Sequence, residues 1–122
     1  MSELRFTKQI RILRSDEFER IFTGKKSVGN GSLVMYGATN ALGHPRLGIT
    51  VSRKVGGAVE RNRWKRLLRE AFRLSQQELS AIDLVCVVRA PIPPSLAQLM
   101  HDIQEMARRL DRKIGRAAPK SK

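Results

Sequence analysis

Over residues 82–89 the chain reads Ile-Asp-Leu-Val-Cys-Val-Val-Arg, a nearly continuous apolar run of strand length. A strand with one wet face alternates apolar and polar residues, so a run without alternation marks a strand buried on both faces. These residues belong in the middle of a sheet, and the rest of the chain must cover it. With 122 residues and 41% hydrophobic content, the chain can build one modest core, so one domain is expected rather than two.

The covering elements are legible from their periodicity. After Gly56 and Gly57, which permit a tight strand-to-helix turn, a helix is expected over about residues 58–79. Trp64, Leu67, Leu68, Ala71 and Phe72 fall at i, i+3, i+4, i+7 and i+8 and form one apolar stripe. Arg61, Asn62, Lys65, Arg66, Arg69 and Arg73 gather on the other side. A last helix opens at Ser95, three residues before Gln98 in capping-box spacing, and runs to about residue 112. Its buried stripe is Leu96, Leu99, Met100, Ile103, Ala107 and Leu110. A short first helix over residues 16–23, with Ser15 as N-cap and Gly24 as its stop, sets Phe18, Ile21 and Phe22 on one face. Residues 32–39 and 46–53 are strand-like, and Asn-Ala-Leu-Gly-His-Pro between them is turn chemistry, so the two are expected to pair as a hairpin. In the second of these, Leu47, Ile49 and Val51 face the core while Gly48, Thr50 and Ser52 leave a face without bulk that can admit a ligand.

Charge narrows the function. The chain has 24 Lys and Arg against 11 Asp and Glu, a formal net charge of +13. Self-repulsion of that size works against compaction unless a polyanion shares it, which points to nucleic acid or an anionic membrane surface, with acidic proteins a weaker option. The longest uncharged stretch, residues 27–45, is interrupted by Gly, Asn, His and Pro and is not a bilayer span. The first residues carry charges too often for a signal peptide, so a cytoplasmic location with no membrane partner is expected. Cys86 is the only cysteine, which excludes an internal disulfide and a cysteine-built zinc site and suits a small core residue.

The cationic helix carries the most information. A solvated helix face usually mixes signs into i,i+4 pairs, whereas here only Glu60 and Glu70 offset five Arg and one Lys from Arg61 to Arg73. The excess of Arg over Lys suits fork-shaped recognition of phosphate. No catalytic constellation stands beside it. His44 lies in a turn and His101 on a distant helix, Asp16, Glu17 and Glu19 are helix-start charges, and no glycine loop has phosphate-loop spacing. A stand-alone nuclease therefore lacks its acids and bases. A structural RNA- or DNA-binding protein, of ribosomal or helix-turn-helix type, is the alternative. Helix-turn-helix readers use a more mixed recognition helix, while this one suits phosphates.

Residues 51–73, Val-Ser-Arg-Lys-Val-Gly-Gly-Ala-Val-Glu-Arg-Asn-Arg-Trp-Lys-Arg-Leu-Leu-Arg-Glu-Ala-Phe-Arg, resemble the signature of the bacterial ribonuclease P protein component. The order and spacing of Arg61, Asn62, Arg63, Lys65, Arg66 and Arg69 carry that likeness. Residues 13–22, 47–54 and 83–89 resemble the family's first helix, the strand before its signature and its late strand. Trp64, on the apolar stripe, and Glu60 depart slightly from the pattern.

The resemblance implies an α+β two-layer sandwich with a small, mostly antiparallel central sheet and three main helices, like the second domain of a small-subunit ribosomal protein, including an unusual left-handed β-α-β crossover. It spans residues 1–113 as one RNA-binding domain, followed by a basic, disordered tail over 114–122. It also implies that the catalytic RNA subunit, using Mg²⁺, cuts the 5′ leader from precursor tRNA while the protein binds. Ribonuclease P RNA and precursor tRNA would be the partners, with no DNA expected. The RNA subunit would be held by Arg61, Asn62, Arg63, Lys65, Arg66, Arg69 and Arg73. The leader would lie against Phe18, Phe22, Tyr36, Ser52, Arg53 and Lys54, where aromatic faces stack on unpaired bases and cations follow the backbone. Two Phe at i and i+4 are usually core, so Phe18 is the better candidate for the leader and Phe22 is expected to be shared with the core.

Overall fold

The computed structural model describes residues 10–115. Helix α1 spans Ser15–Thr23, strand β1 Ser27–Gly29, β2 Leu33–Thr39, β3 Arg46–Thr50, helix α2 Ala58–Ser75, β4 Ile82–Val88 and α3 Leu96–Ile114. The four strands form one mixed sheet in the order β1-β2-β4-β3. β1 and β2 pair antiparallel, as do β2 and β4, whereas β3 and β4 run parallel. The architecture is the expected α+β class.

β4 takes the interior place that its composition demands, with six of its seven residues buried. That placement overturns the expected hairpin. β2 and β3 are not partners, because β4 lies between them, with Met35 opposite Cys86 on one edge and Ile49 opposite Cys86 on the other. A strand apolar on both faces gains most from neighbours on both edges, and the 40–45 connection arches past it. Asn40 fixes that arch, its amide donating to the His44 carbonyl at 3.2 Å and to Asp83 Oδ1 on β4 at 2.8 Å. β3, α2 and β4 thus form a β-α-β unit. The short edge strand β1 was not expected, since three residues with one buried position carry too little pattern to read.

The sheet has unequal faces. Leu33 and Met35 of β2, Leu47 of β3 and Ile82, Leu84, Cys86 and Val88 of β4 meet Trp64, Leu68, Ala71 and Phe72 of α2 and Leu99, Ile103, Met106, Ala107 and Leu110 of α3 in the main core. On the other face, α1 alone packs Ile21 against Ile12 and Val85, with Phe18, Phe22, Tyr36, Ala38 and Val87 half-buried around them.

Helix limits differ from expectation where local bonding decides. The N-cap of α1 is Arg14, not Ser15; its carbonyl takes the Glu17 and Phe18 amides and its guanidinium pairs with Asp16. α2 stops at Ser75 and passes into a 3-10 turn over Gln76–Glu78. The second strand ends at Thr50 and turns at Arg53–Val55. Ser95 caps α3 as expected, accepting the Gln98 amide at 3.1 Å, but the Gln98 side chain goes forward to Asp102 rather than back. α3 continues to Ile114 and closes on Gly115 in the left-handed region at φ 86°. Ile114, expected in the tail, packs against the core instead; residues 116–122 lie outside the described ones.

Candidate RNA-binding surface

Trp64 fixes how α2 presents its outer side. Fully buried, its indole N–H donates to the Ala90 carbonyl at 2.8 Å, pinning the helix to the end of β4. Asn62, Arg66, Arg69 and Arg73 then line one open groove of about 350 Å³ together with Glu70. Arg73 is paired within it, its guanidinium on Glu70 at 2.6 Å and 3.1 Å. That hydrogen bond holds the Glu70 carboxyl below its ordinary range. Arg63 is exposed but outside this groove. Arg61 is not part of the outer ridge. It is half-buried, and its Nε donates to the Gly56 carbonyl at 3.3 Å, so it braces the turn into the helix. At about 100° per residue it sits some 60° from Trp64, too near the apolar stripe to face outward.

A second, smaller groove of about 170 Å³ joins α2 to the α1 side. Lys65 and Arg69 line it with Arg11, Ile12, Leu13, Phe18, Leu47 and Ile49. Arg69 therefore borders both grooves.

Phe18, Phe22 and Tyr36 come together. Tyr36 alternates with the buried Leu33 and Met35 and so emerges on the α1 face of β2. The Phe22 and Tyr36 rings meet edge to face at 4.9 Å and 87°, and Phe18 follows at 6.4 Å from Phe22. All three are half-buried, so Phe22 is both packed and presented. The small face of β3 explains Phe18: a Cβ built on Gly48 would lie 2.7 Å and 2.8 Å from the Phe18 ring. The space left by a missing side chain is filled by an aromatic edge of the same chain.

Ser52, Arg53 and Lys54 stand apart from that row, exposed at the carboxyl end of β3, with the Ser52 hydroxyl accepting the Lys54 amide at 3.3 Å. Ser52 and Lys54 line a groove of about 520 Å³ with Thr50, Val51, Val55, Val87, Val88 and Arg89. Val87 belongs both to this groove and to the cluster around the aromatic row, which makes the two neighbours on one surface. Ligands commonly sit beyond the carboxyl ends of parallel strands. Arg89, exposed at the end of β4, is the residue that sequence reasoning missed. Its backbone amide donates to the Ser32 carbonyl just before β2 at 2.8 Å, a partner invisible in the chain order.

Comparison with known proteins identifies the family. The Ribonuclease P family model matches residues 6–112. The ribonuclease P protein component of Erwinia tasmaniensis is 45% identical over 93 residues, 75% of this chain and 78% of that one. Its counterpart in Escherichia coli strain K12 / DH10B is 44% identical over 90 residues, 73% and 76% of the two chains. Among solved structures, the Staphylococcus aureus RNase P protein superposes with a TM-score of 0.71 at 34% identity, covering 81% of this chain and 93% of its own. The Thermotoga maritima RNase P protein gives 0.72 at 28%, covering 81% and 96%. The ribosomal and helix-turn-helix alternatives give way to a match of this extent. The chain belongs to the ribonuclease P protein component family, and is a subunit of the ribonucleoprotein endoribonuclease that processes tRNA.

Proposed function

We propose that the two sides of this surface divide the work of binding. The outer face of α2, through Asn62, Arg63, Lys65, Arg66, Arg69 and Arg73, docks on phosphates of the ribonuclease P RNA, and Arg61 supports that face by bracing the turn before it. The row of Phe18, Phe22 and Tyr36, with Ser52, Arg53 and Lys54 beyond it, takes the unpaired 5′ leader of precursor tRNA. The observation that carries this reading is the half-buried aromatic row adjoining a groove with a cationic rim. Aromatic faces accept any base while cations track the backbone, which suits leaders of varied sequence.

The RNA subunit cuts the phosphodiester with Mg²⁺, and the protein supplies binding and charge screening. Among the described residues, no three His, Cys, Asp or Glu are grouped to hold a metal ion. The setting we infer is the cytoplasm, with neither a membrane nor DNA as partner. Among the described residues no helix is long and apolar enough to cross a membrane.

Tyr36→Ala tests the leader assignment when the assembled holoenzyme is titrated with precursor and mature tRNA. Loss of one stack is expected to weaken precursor binding by about 1–3 kcal/mol and to leave mature tRNA unchanged. An equal loss for both would assign Tyr36 to the general fold.

A further inference from the structure

On the α1 face lies a polar cluster that no motif announces. Asp83 of β4 is fully buried. Arg46 of β3 grips it with both ends of its fork, Nε to Oδ1 at 2.8 Å and an Nη to Oδ2 at 2.7 Å. Arg20 of α1 donates to Oδ2 at 2.5 Å, and Asn40 donates to Oδ1. Arg46 also reaches back to α1, donating to the Glu17 carboxylate at 3.2 Å and 3.4 Å. Two carboxylates and two guanidinium groups cancel, so the cluster tolerates burial.

Both α1 members of this cluster adjoin the aromatic row in sequence. Glu17 precedes Phe18, and Arg20 lies two residues before Phe22. Among the described residues the apolar contact under α1 is small, with Ile12, Ile21 and Val85 buried in it. A nine-residue helix has little stability of its own, and apolar burial has no preferred direction. Charge-assisted hydrogen bonds do have one, and two of the cluster's contacts cross to α1, Arg20 to Asp83 and Arg46 to Glu17. The contact between Phe18 and Gly48 also leaves no room for α1 to settle deeper. The angle of α1 over the sheet is therefore set by ions at Asp83 and by that one steric stop.

We propose that Asp83, acting through Arg20 and Arg46, is a positioning residue for leader recognition: it holds α1 so that Phe18, Phe22 and Tyr36 present one continuous row. The proposal rests on the reading of that row as the leader site. A buried ion cluster used in this way favours one geometry over its alternatives, a role for which such clusters are better suited than for stability.

Asp83→Asn leaves two guanidinium groups facing a neutral partner and could simply unfold the protein, so Arg20 is the better lever. Its side chain is 47% exposed, and Arg46 still pairs with Asp83 when it is gone. Arg20→Gln, Arg20→Lys and Arg14→Gln are compared in holoenzyme reconstituted with the RNA subunit. Arg14→Gln removes the same charge from the start of the same helix without touching Asp83. Arg20→Gln is expected to reduce the preference for precursor over mature tRNA by about three- to tenfold, part of what one lost stack would cost. RNA-subunit affinity should stay unchanged, Arg20→Lys should recover part of the preference, and Arg14→Gln should keep it. In NMR spectra of the free protein, the Phe22–Tyr36 contacts should weaken in Arg20→Gln alone. An Arg20→Gln protein with wild-type preference and intact ring contacts overturns the proposal, as does an equal effect of Arg14→Gln. If Tyr36→Ala is selective and Arg20→Gln is not, the clamp alone fails. If Tyr36→Ala lowers both tRNA forms alike, the leader reading fails and the proposal falls with it.

Discussion

Asp83 shows how opposing effects at one residue are weighed. Burial raises its pKa, but hydrogen bonds from Arg46, then Asn40, with the Arg46 charge and Arg20 beside them, outweigh that and leave it below the ordinary 3.8. A native carboxyl with a depressed pKa contributes stability that is complete above the unfolded value and is lost as pH falls through the native one. Urea midpoints measured from pH 6 downward should therefore begin to fall near about pH 4, and the fall should be shallower in Asp83→Asn; parallel curves would deny Asp83 this role. The same substitution at neutral pH should cost about 3–5 kcal/mol, the usual loss on breaking one side of a buried ion pair. Cys86 is governed by burial alone, which pushes its thiol up to about 12. Alkylating reagents at pH 8 should leave it unmodified until the protein is unfolded, whereas modification of native protein at the rate of a free thiol would show that β4 opens readily.

At the scale of elements, legibility followed burial. The stripes of α2 and α3 and the double-sided burial of β4 could be read because each repeats a pattern over several turns or pleats. The hairpin could not, because turn chemistry between residues 39 and 46 reports only that the chain reverses, and not which strand enters the gap. The aromatic row and Lys54 were readable through their resemblance to known sequences. Arg89 and the Asp83 cluster were not, since their partners are brought in from β2, β3 and α1 by the fold. Arg61 illustrates a smaller error: membership of a basic run does not guarantee an outward position. It separates two kinds of substitution on α2. Arg66→Ala and Arg69→Ala should each flatten the slope of log affinity for the RNA subunit against log salt by up to about 0.9, with no change in unfolding midpoint. Arg61→Ala should act mainly on stability, through the brace to Gly56, and alter the slope less. Equal slope changes for all three would return Arg61 to the ridge.

For the whole molecule the governing quantity is the net charge of +13. A charge of that size would be a liability in isolation and is an asset between two RNAs. Bringing the RNA subunit and precursor tRNA together crowds phosphates, and a cationic protein placed between them replaces part of the screening otherwise supplied by divalent ions. The most direct test is to titrate Mg²⁺ for cleavage of precursor tRNA by a bacterial ribonuclease P RNA, with and without this protein. The midpoint should move to lower Mg²⁺ when the protein is added, with no cleavage by protein alone. Superimposable titrations, or leader removal by RNA-free protein, would contradict the account.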